Sequence, residues 1–335
     1  DGSRSDHDMS VNYNIEEYAE DVVSIIARIT DEVQVPHPTI VTEAGRAMVA
    51  HHAVLITEVL GVERVGTTGD PAMVAKDDPQ PLQDMAEILD WLDAEHVQPA
   101  WHDAQALRSA ITTQFNLGLV DLRQRAVGEE LYWSIASEIK ELIQNMERQP
   151  QELTHLPDLL SDTYTTNFSI FQSIPDSWAI GQLFPVMPIH RLQHRPNSEG
   201  VLVDLTCDSD GKIDQFIGER RSLPLHGLDG ESYRLGFFLV GAYQEILGDL
   251  HNLFGDTHAV HVRLIEPEGF VFEHIETGDS VTEVLNYIHF DANELYDKIS
   301  KSADASIEAN RMNQEQKALL LQRYEDGLKG YTYFE

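Results

Sequence analysis

The hydrophobic pattern of this chain changes period on either side of one long block, and that confines it to few architectures. Between residues 82 and 148 the apolar side chains recur at helical spacing. Met85, Ile88, Leu89 and Leu92 mark one helix. Leu107, Ile111, Phe115, Leu119 and Leu122 mark a second, and Leu131, Ile135, Ile139, Leu142 and Met146 a third. On both sides the pattern shortens to β-branched and aromatic runs. A stripe with a 3.6-residue period cannot lie down as a strand, so the block reads as a helical hairpin or small bundle inserted between two β-rich pieces.

Upstream of the block, Ile15, Tyr18, Val22, Ile25, Ile26 and Ile29 predict an amphipathic helix over 14–33, with Asn14 as its N-cap and Glu17 three residues on. Pro36 and Pro38 end it, and the run TIVTE (39–43) then suits a buried parallel strand. Helix, proline turn and strand make one αβ unit of a layer or barrel. A short helical turn is expected after Arg46, extended structure over 53–65, and a linker over the Gly- and Pro-rich residues 66–81. Downstream, strands are expected at 164–173, 201–208, 212–217, 234–243, 259–265 and 270–276, the last two joined by the turn EPEG (266–269). Strands of this kind suggest a sandwich or barrel. From residue 279 the pattern is helical again, in segments expected to pack outside the β domain.

Charge narrows the partners. Lys plus Arg number 23 against 57 Asp plus Glu, a formal net charge of −34. Such a surface repels phosphate backbones and anionic membranes, so neither nucleic acid nor membrane is an expected partner, although acidic surfaces also serve solubility alone. Cys207 is the one cysteine, which excludes an internal disulfide and points to a reducing compartment, the cytoplasm. No apolar run reaches the roughly 18–20 residues that span a bilayer. The opening DGSRSDHD carries no signal peptide and reads as the middle of a loop, so the sequence is expected to be a fragment or a processed product.

Three short segments could carry chemistry. Glu43-Ala44-Gly45-Arg46 follows the TIVTE run, where a glycine admits close backbone approach and an arginine can grip phosphate or carboxylate. On spacing alone the pattern is weak, and a turn with a surface salt bridge explains it as well. Cys207-Asp208 lies where an apolar strand meets the turn Ser209-Asp210-Gly211. A thiol there can donate a proton, or simply be the last buried residue of the strand. Gly241-Ala242-Tyr243 closes another strand; the Tyr243 hydroxyl can bond a phosphate, or its ring can serve packing. The pairs His51-His52 and His258/His261 point to opposite faces of their elements and lack the spacing of a zinc site.

Taken together and in order, these motifs are specific. PHPTIVTEAGRAMVAHHAVLITEVLGVE, NFSIFQSIPDSWAIGQLFPVMPIHRL, DLTCDSDGKIDQFI and GFFLVGAYQEILGDLHNLFGDT resemble the bacterial biosynthetic arginine decarboxylases, in the fold group of alanine racemase and eukaryotic ornithine decarboxylase. The resemblance covers essentially the whole chain and implies the C-terminal portion of such an enzyme. The implied fold is α/β plus β: the end of a TIM-like barrel that binds pyridoxal 5'-phosphate, then a β-sandwich or barrel domain with a helical-bundle insertion and a C-terminal helical extension. The corresponding divisions are 1–50 for the barrel end, 51–78 with 160–278 for the β domain, 79–150 for the insertion and 279–335 for the extension.

The resemblance also implies roles. Glu43 pairs with the pyridine nitrogen, while Gly45, Arg46 and Tyr243 bind the cofactor phosphate. Cys207 returns a proton and Asp208 contacts substrate, both reaching the site from the neighbouring subunit of a homodimer. The implied reaction is decarboxylation of L-arginine to agmatine, in polyamine biosynthesis. Magnesium is associated with the family, with no ligand set visible in this sequence. The Schiff-base lysine and a glycine-rich phosphate loop belong to an N-terminal half upstream of Asp1, so the chain alone is expected to be inactive. Ornithine enzymes carry an aspartate after the asparagine that matches Asn167; Phe168 stands here, which argues against ornithine. The alternatives are decarboxylation of another basic amino acid, and a catalytically silent homologue that regulates a true decarboxylase through the dimer surface. Retention of Arg46, Cys207 and Asp208 speaks against the silent homologue.

Overall fold

A computed structural model describes residues 14–43, 45–65, 70–146, 148–267 and 269–335. Helix α1 (Ile15–Glu32) forms where the pattern predicts it. Asn14 Oδ1 accepts the Glu17 amide at 2.8 Å and Glu17 Oε2 accepts the Asn14 amide at 2.9 Å, so two otherwise orphaned donors at the helix start are satisfied. Its apolar stripe is uncovered, with Ile15, Ile25 and Ile29 all exposed.

The expected strand at 39–43 does not form. These residues are irregular and exposed. A strand needs a neighbour for its row of amides and carbonyls, and no strand among the described residues runs beside this segment. The chain then enters α2 (Gly45–Val49) and a 3-10 turn at Ala50–His52.

Strand β1 (Val54–Glu63) leads into the insertion. Residues 66–69 of the expected linker lie outside the described residues, and the rest of it forms a 3-10 turn at Pro71–Met73 before α3 (Gln80–Trp91). Helices α4 (Val97–Asn116) and α5 (Leu122–Gln144) complete the bundle. Its core of Leu82, Met85, Ile88, Trp101, Ile111, Leu131, Ile135, Ile139 and Ile143 is its own, shared with no described residue of the sheet. The second helix is shorter than its stripe predicts. Gly118 takes φ +72 and Asp121 starts α5 with a capping box to Gln124, leaving Leu119 and Leu122 exposed in and beside the turn.

Helix α6 (Leu156–Leu159) returns the chain to β2 (Asp162–Thr166), which pairs antiparallel with β1. The strand expected over 164–173 ends early because Ser169 caps α7 (Ile170–Ser173), which runs into α8 (Pro175–Ile180). There follow β3 (Val186–Pro188), β4 (Ser198–Val203), β5 (Lys212–Ile213), β6 (Leu223–Leu225) and β7 (Arg234–Phe238). The β domain takes the form of one mixed seven-stranded sheet in the order β3-β7-β1-β2-β4-β5, with β6 also on β4. Among the described residues only β2 and β4 pair in parallel, and α7, α8 and β3 lie in the crossover between them. Tyr164, Phe168, Ile174, Leu202, Leu225, Tyr233, Leu235 and Phe237 fill its core; burying each stabilises the fold by roughly 1.5–3 kcal/mol.

After α9 (Gln244–Leu247), the predicted hairpin of β8 (Ala259–Leu264) and β9 (Phe270–Glu276) stands apart as its own two-stranded ribbon. Helices α10 (Val281–Tyr287), α11 (Ala292–Glu308) and α12 (Gln314–Lys329) close the chain. The last residues then fold back: Val281 donates its amide to the Gly330 carbonyl at 2.9 Å, and Tyr333 is buried.

Candidate active site

Three of the candidate residues, remote in sequence, meet at one place. Gly45 and Arg46 open α2, and Tyr243 stands at the start of α9 in a left-handed conformation, φ 69. Gly241 brings the two segments together. Its amide donates to the Ala50 carbonyl at 3.0 Å, and a Cβ on it would lie 2.2 Å from the Val49 carbonyl oxygen. Only glycine permits that approach. Tyr243 then reaches back so that a Cβ on Gly45 would stand 2.2 Å from its hydroxyl oxygen.

Arg46 is held on three sides. Nη2 donates to Asp176 Oδ2 at 2.7 Å, Nε donates to Gln182 Oε1 at 3.1 Å, and the guanidinium lies 4.8 Å from the centre of the Tyr243 ring. Asp176 and Gln182 are buried; Gln244 Nε2 also donates to Asp176 Oδ2, at 2.7 Å. The guanidinium is thus set in a fixed plane beside a phenol hydroxyl. Its Nη1 makes no hydrogen bond among the described residues. A cation with an unused N–H next to a hydroxyl is a grip for an oxyanion.

The second group surrounds Cys207 and Asp208. The expected strand over 201–208 stops at Val203, because Asp204 turns the chain. Its buried carboxylate accepts the Ile170 amide at 2.8 Å and both the amide and the hydroxyl of Thr206 at 2.8 Å. Burial nonetheless holds this carboxyl above the usual carboxylate range. Cys207 is exposed, and Asn252 Oδ1 accepts both its amide, at 3.1 Å, and its thiol, at 3.5 Å. Asp208 Oδ1 accepts the Asp210 amide at 2.9 Å, and Oδ2 lies 3.6 Å from His251 Nε2. The His251 ring stacks on Phe171 at 4.2 Å.

No hydrogen bond, ion pair or ring contact joins the Arg46 group directly to the Cys207 group among the described residues. Glu43 is exposed on the segment before α2, brought to neither group, and Ala44 lies outside the described residues. Sequence reasoning missed Asp176, Gln182, Gln244 and Asn252. Asp176 and Gln182 had one visible signal, polar residues inside the apolar stretch 168–184. Of the histidine pairs, His258 stacks on Tyr331 at 4.1 Å and its Nδ1 accepts the Gly278 amide at 2.8 Å, His261 meets His274 across the ribbon, and His52 lies against Gly241. Among the described residues no cluster of three or more His, Cys, Asp or Glu could hold a metal ion, and no helix is long and apolar enough to cross a membrane.

Comparison with known proteins gives a consistent picture. Residues 75–157 match the arginine decarboxylase helical bundle domain, and residues 281–334 the arginine decarboxylase C-terminal helical extension. The biosynthetic arginine decarboxylase of Phocaeicola vulgatus is 44% identical over 100% of this chain and 54% of its own length. That of Bacteroides thetaiotaomicron is 45% identical over the same shares. The crystal structure of the biosynthetic arginine decarboxylase from Campylobacter jejuni superposes with a TM-score of 0.84 at 32% identity, over 99% of this chain and 54% of that one. The chain therefore spans about half the length of the curated relatives it matches.

Proposed function

Since this chain belongs to the biosynthetic arginine decarboxylase family and matches its C-terminal portion, we propose that it supplies part of the cofactor site and the proton donor of an enzyme converting L-arginine to agmatine and carbon dioxide for polyamine synthesis. The observation that carries this reading is the meeting of Gly45, Arg46 and Tyr243 in one oxyanion grip. Its donor set, a fixed guanidinium with an unused N–H beside a phenol hydroxyl, fits the phosphate of pyridoxal 5'-phosphate. When bound, that cofactor supplies an electron sink for the pair left on the α-carbon as carbon dioxide departs.

The chain's own residues do the rest. Arg46 and Tyr243 hold the phosphate, and Glu43 keeps a proton on the pyridine nitrogen. The Cys207 thiol returns a proton to the α-carbon, and the Asp208 carboxylate pairs with the substrate guanidinium. Among the described residues no hydrogen bond, ion pair or ring contact joins the two groups directly, which supports a site built from two copies, one giving Arg46 and Tyr243 and the other Cys207 and Asp208. The lysine that would hold the cofactor covalently is assigned to an N-terminal half outside these 335 residues. We assign no residue to magnesium. The divisions 1–50, 51–78 with 160–278, 79–150 and 279–335 complete the proposal, together with a cytoplasmic location.

Phe168, fully buried against Phe237 at 5.2 Å, leaves no acidic side chain at the position where ornithine enzymes carry one. Supplying the chain with the N-terminal half of a relative and assaying arginine, lysine, ornithine and diaminopimelate side by side tests the reading. Carbon dioxide is expected from arginine, and none from the 335-residue chain alone. Release from ornithine instead would overturn the substrate assignment, and activity of the lone chain would overturn the need for a second half.

Gly45→Ala gives a sharper check. The new methyl would drive the Tyr243 hydroxyl aside, and Tyr243, 44% exposed, has room to swing without disturbing the core. Pyridoxal phosphate affinity of the reconstituted enzyme, read by fluorescence titration, should fall by roughly 10–100-fold, the worth of one hydrogen bond to a charged group. Undiminished affinity would remove Tyr243 from the phosphate site.

A further inference from the structure

The thiol of Cys207 is oriented by one residue, and that residue sits in a conformation needing outside support. Asn252, whose Oδ1 accepts the Cys207 amide and thiol, has φ 54, and Leu253 follows with φ 62. Two successive non-glycine residues in the left-handed region are unfavourable and persist only where the surroundings over-determine them. The two residues that follow, Phe254 and Gly255, are packed and hydrogen-bonded against the segment 332–334.

The Gly255 amide donates to Thr332 Oγ1 at 3.1 Å, and the Gly255 carbonyl accepts the Tyr333 hydroxyl at 2.7 Å. Phe254 stacks on the buried Tyr333 ring at 5.2 Å. Gly255 has no slack, since a Cβ there would stand 2.4 Å from Asp279 Cβ and 2.9 Å from Val284. The tail is itself fastened to the sheet. Asn167 Nδ2 donates to the Phe334 carbonyl at 2.7 Å, its Oδ1 accepts the Phe334 amide at 3.2 Å, and its own amide donates to the Glu58 carbonyl of β1 at 2.8 Å. The path from sheet to thiol is therefore Asn167, Phe334, Tyr333 with Thr332, Gly255, Asn252, Cys207.

We propose that the C-terminal tail Thr332-Tyr333-Phe334 is the positioning element of Cys207, clamping Gly255 on both sides so that Asn252 holds the thiol in one orientation. The catalytic meaning of that orientation rests on the proton-donor role proposed above; the orientation itself does not.

Cys207 is the one thiol in the sequence, so its alkylation by iodoacetamide, followed in the full chain, reads this position alone. Asn252→Ala frees the sulfur from its acceptor and should quicken alkylation. Thr332→Val with Tyr333→Phe removes both hydroxyl contacts to Gly255 and should quicken it too, by roughly fivefold, the rate factor equivalent to one hydrogen bond. Thr332→Ser with Tyr333 intact keeps the contacts and should restore the native rate. Tyr164→Phe is the control: it removes another hydroxyl donated to a carbonyl within the sheet core, Tyr164 to His226 at 3.2 Å, and should leave the rate unchanged. Native alkylation in the tail double variant, with Asn252→Ala quickened, would overturn the clamp, as would equal quickening by Tyr164→Phe. Failure of the reconstituted enzyme to decarboxylate would instead strike the proposed function and leave this thiol measurement standing.

Discussion

Replacing Cys207 with alanine in the reconstituted enzyme is expected to lower kcat by about 10²–10⁴ and leave KM for arginine nearly unchanged. The thiol is assigned to returning a proton to the α-carbon, a contact made only as the reaction proceeds, so its loss should not weaken substrate binding. The fold has little reason to suffer. Cys207 is exposed, and Asn252 still holds its amide at 3.1 Å when the sulfur is gone. Unchanged melting and unchanged cofactor affinity should therefore accompany the fall. Full activity in the alanine variant would remove Cys207 from the chemistry and leave it an exposed residue of the turn after Val203.

The second large effect is on stability. Asp176→Ala leaves the Arg46 guanidinium, with a side chain only 27% exposed, without its carboxylate and strips Gln244 of an acceptor. Breaking such a pair from one side costs roughly 3–5 kcal/mol, because the remaining charge is desolvated and uncompensated. The urea midpoint should fall accordingly. Arg46→Met combined with Asp176→Leu removes both charges and should recover most of the loss, while cofactor affinity falls because the guanidinium is gone. Recovery of stability without recovery of binding separates the two duties of Arg46. A single Asp176→Ala variant as stable as the native chain would show that Gln182 and solvent suffice to hold the guanidinium.

What the sequence displayed was local. The capping box at Asn14 and Glu17, the three helices of the insertion and the hairpin around 266–269 follow from spacing and turn chemistry within a few residues. Two readings failed where a partner from elsewhere decides. TIVTE has the composition of a buried strand, but composition does not provide a neighbouring strand, and Val41 ends 86% exposed. The run over 164–173 has strand-like residues throughout, yet Ser169 and the distant Asp204 capture the amides of Gln172 and Ile170 and wind the chain into α7. The candidate site divides in the same way. Glu43, Gly45, Arg46, Cys207, Asp208 and Tyr243 are singled out through the family resemblance of their motifs, whereas Asp176 and Gln182 reach Arg46 across 130 and 136 residues. No periodicity records a contact of that range.

The insertion's separate core has a consequence for how such a protein can be rebuilt. The bundle leaves the sheet at the end of β1 and returns at the start of β2, where Glu63 and Thr163 are direct antiparallel partners and the Val65 amide reaches Asp162 Oδ1 at 3.3 Å. To the sheet, the whole bundle is therefore a hairpin loop, entered and left through adjacent strand ends. Because the two cores share no residue among those described, exchanging what lies between Glu63 and Asp162 should leave the register of the sheet and the segments bearing Arg46, Cys207 and Tyr243 untouched.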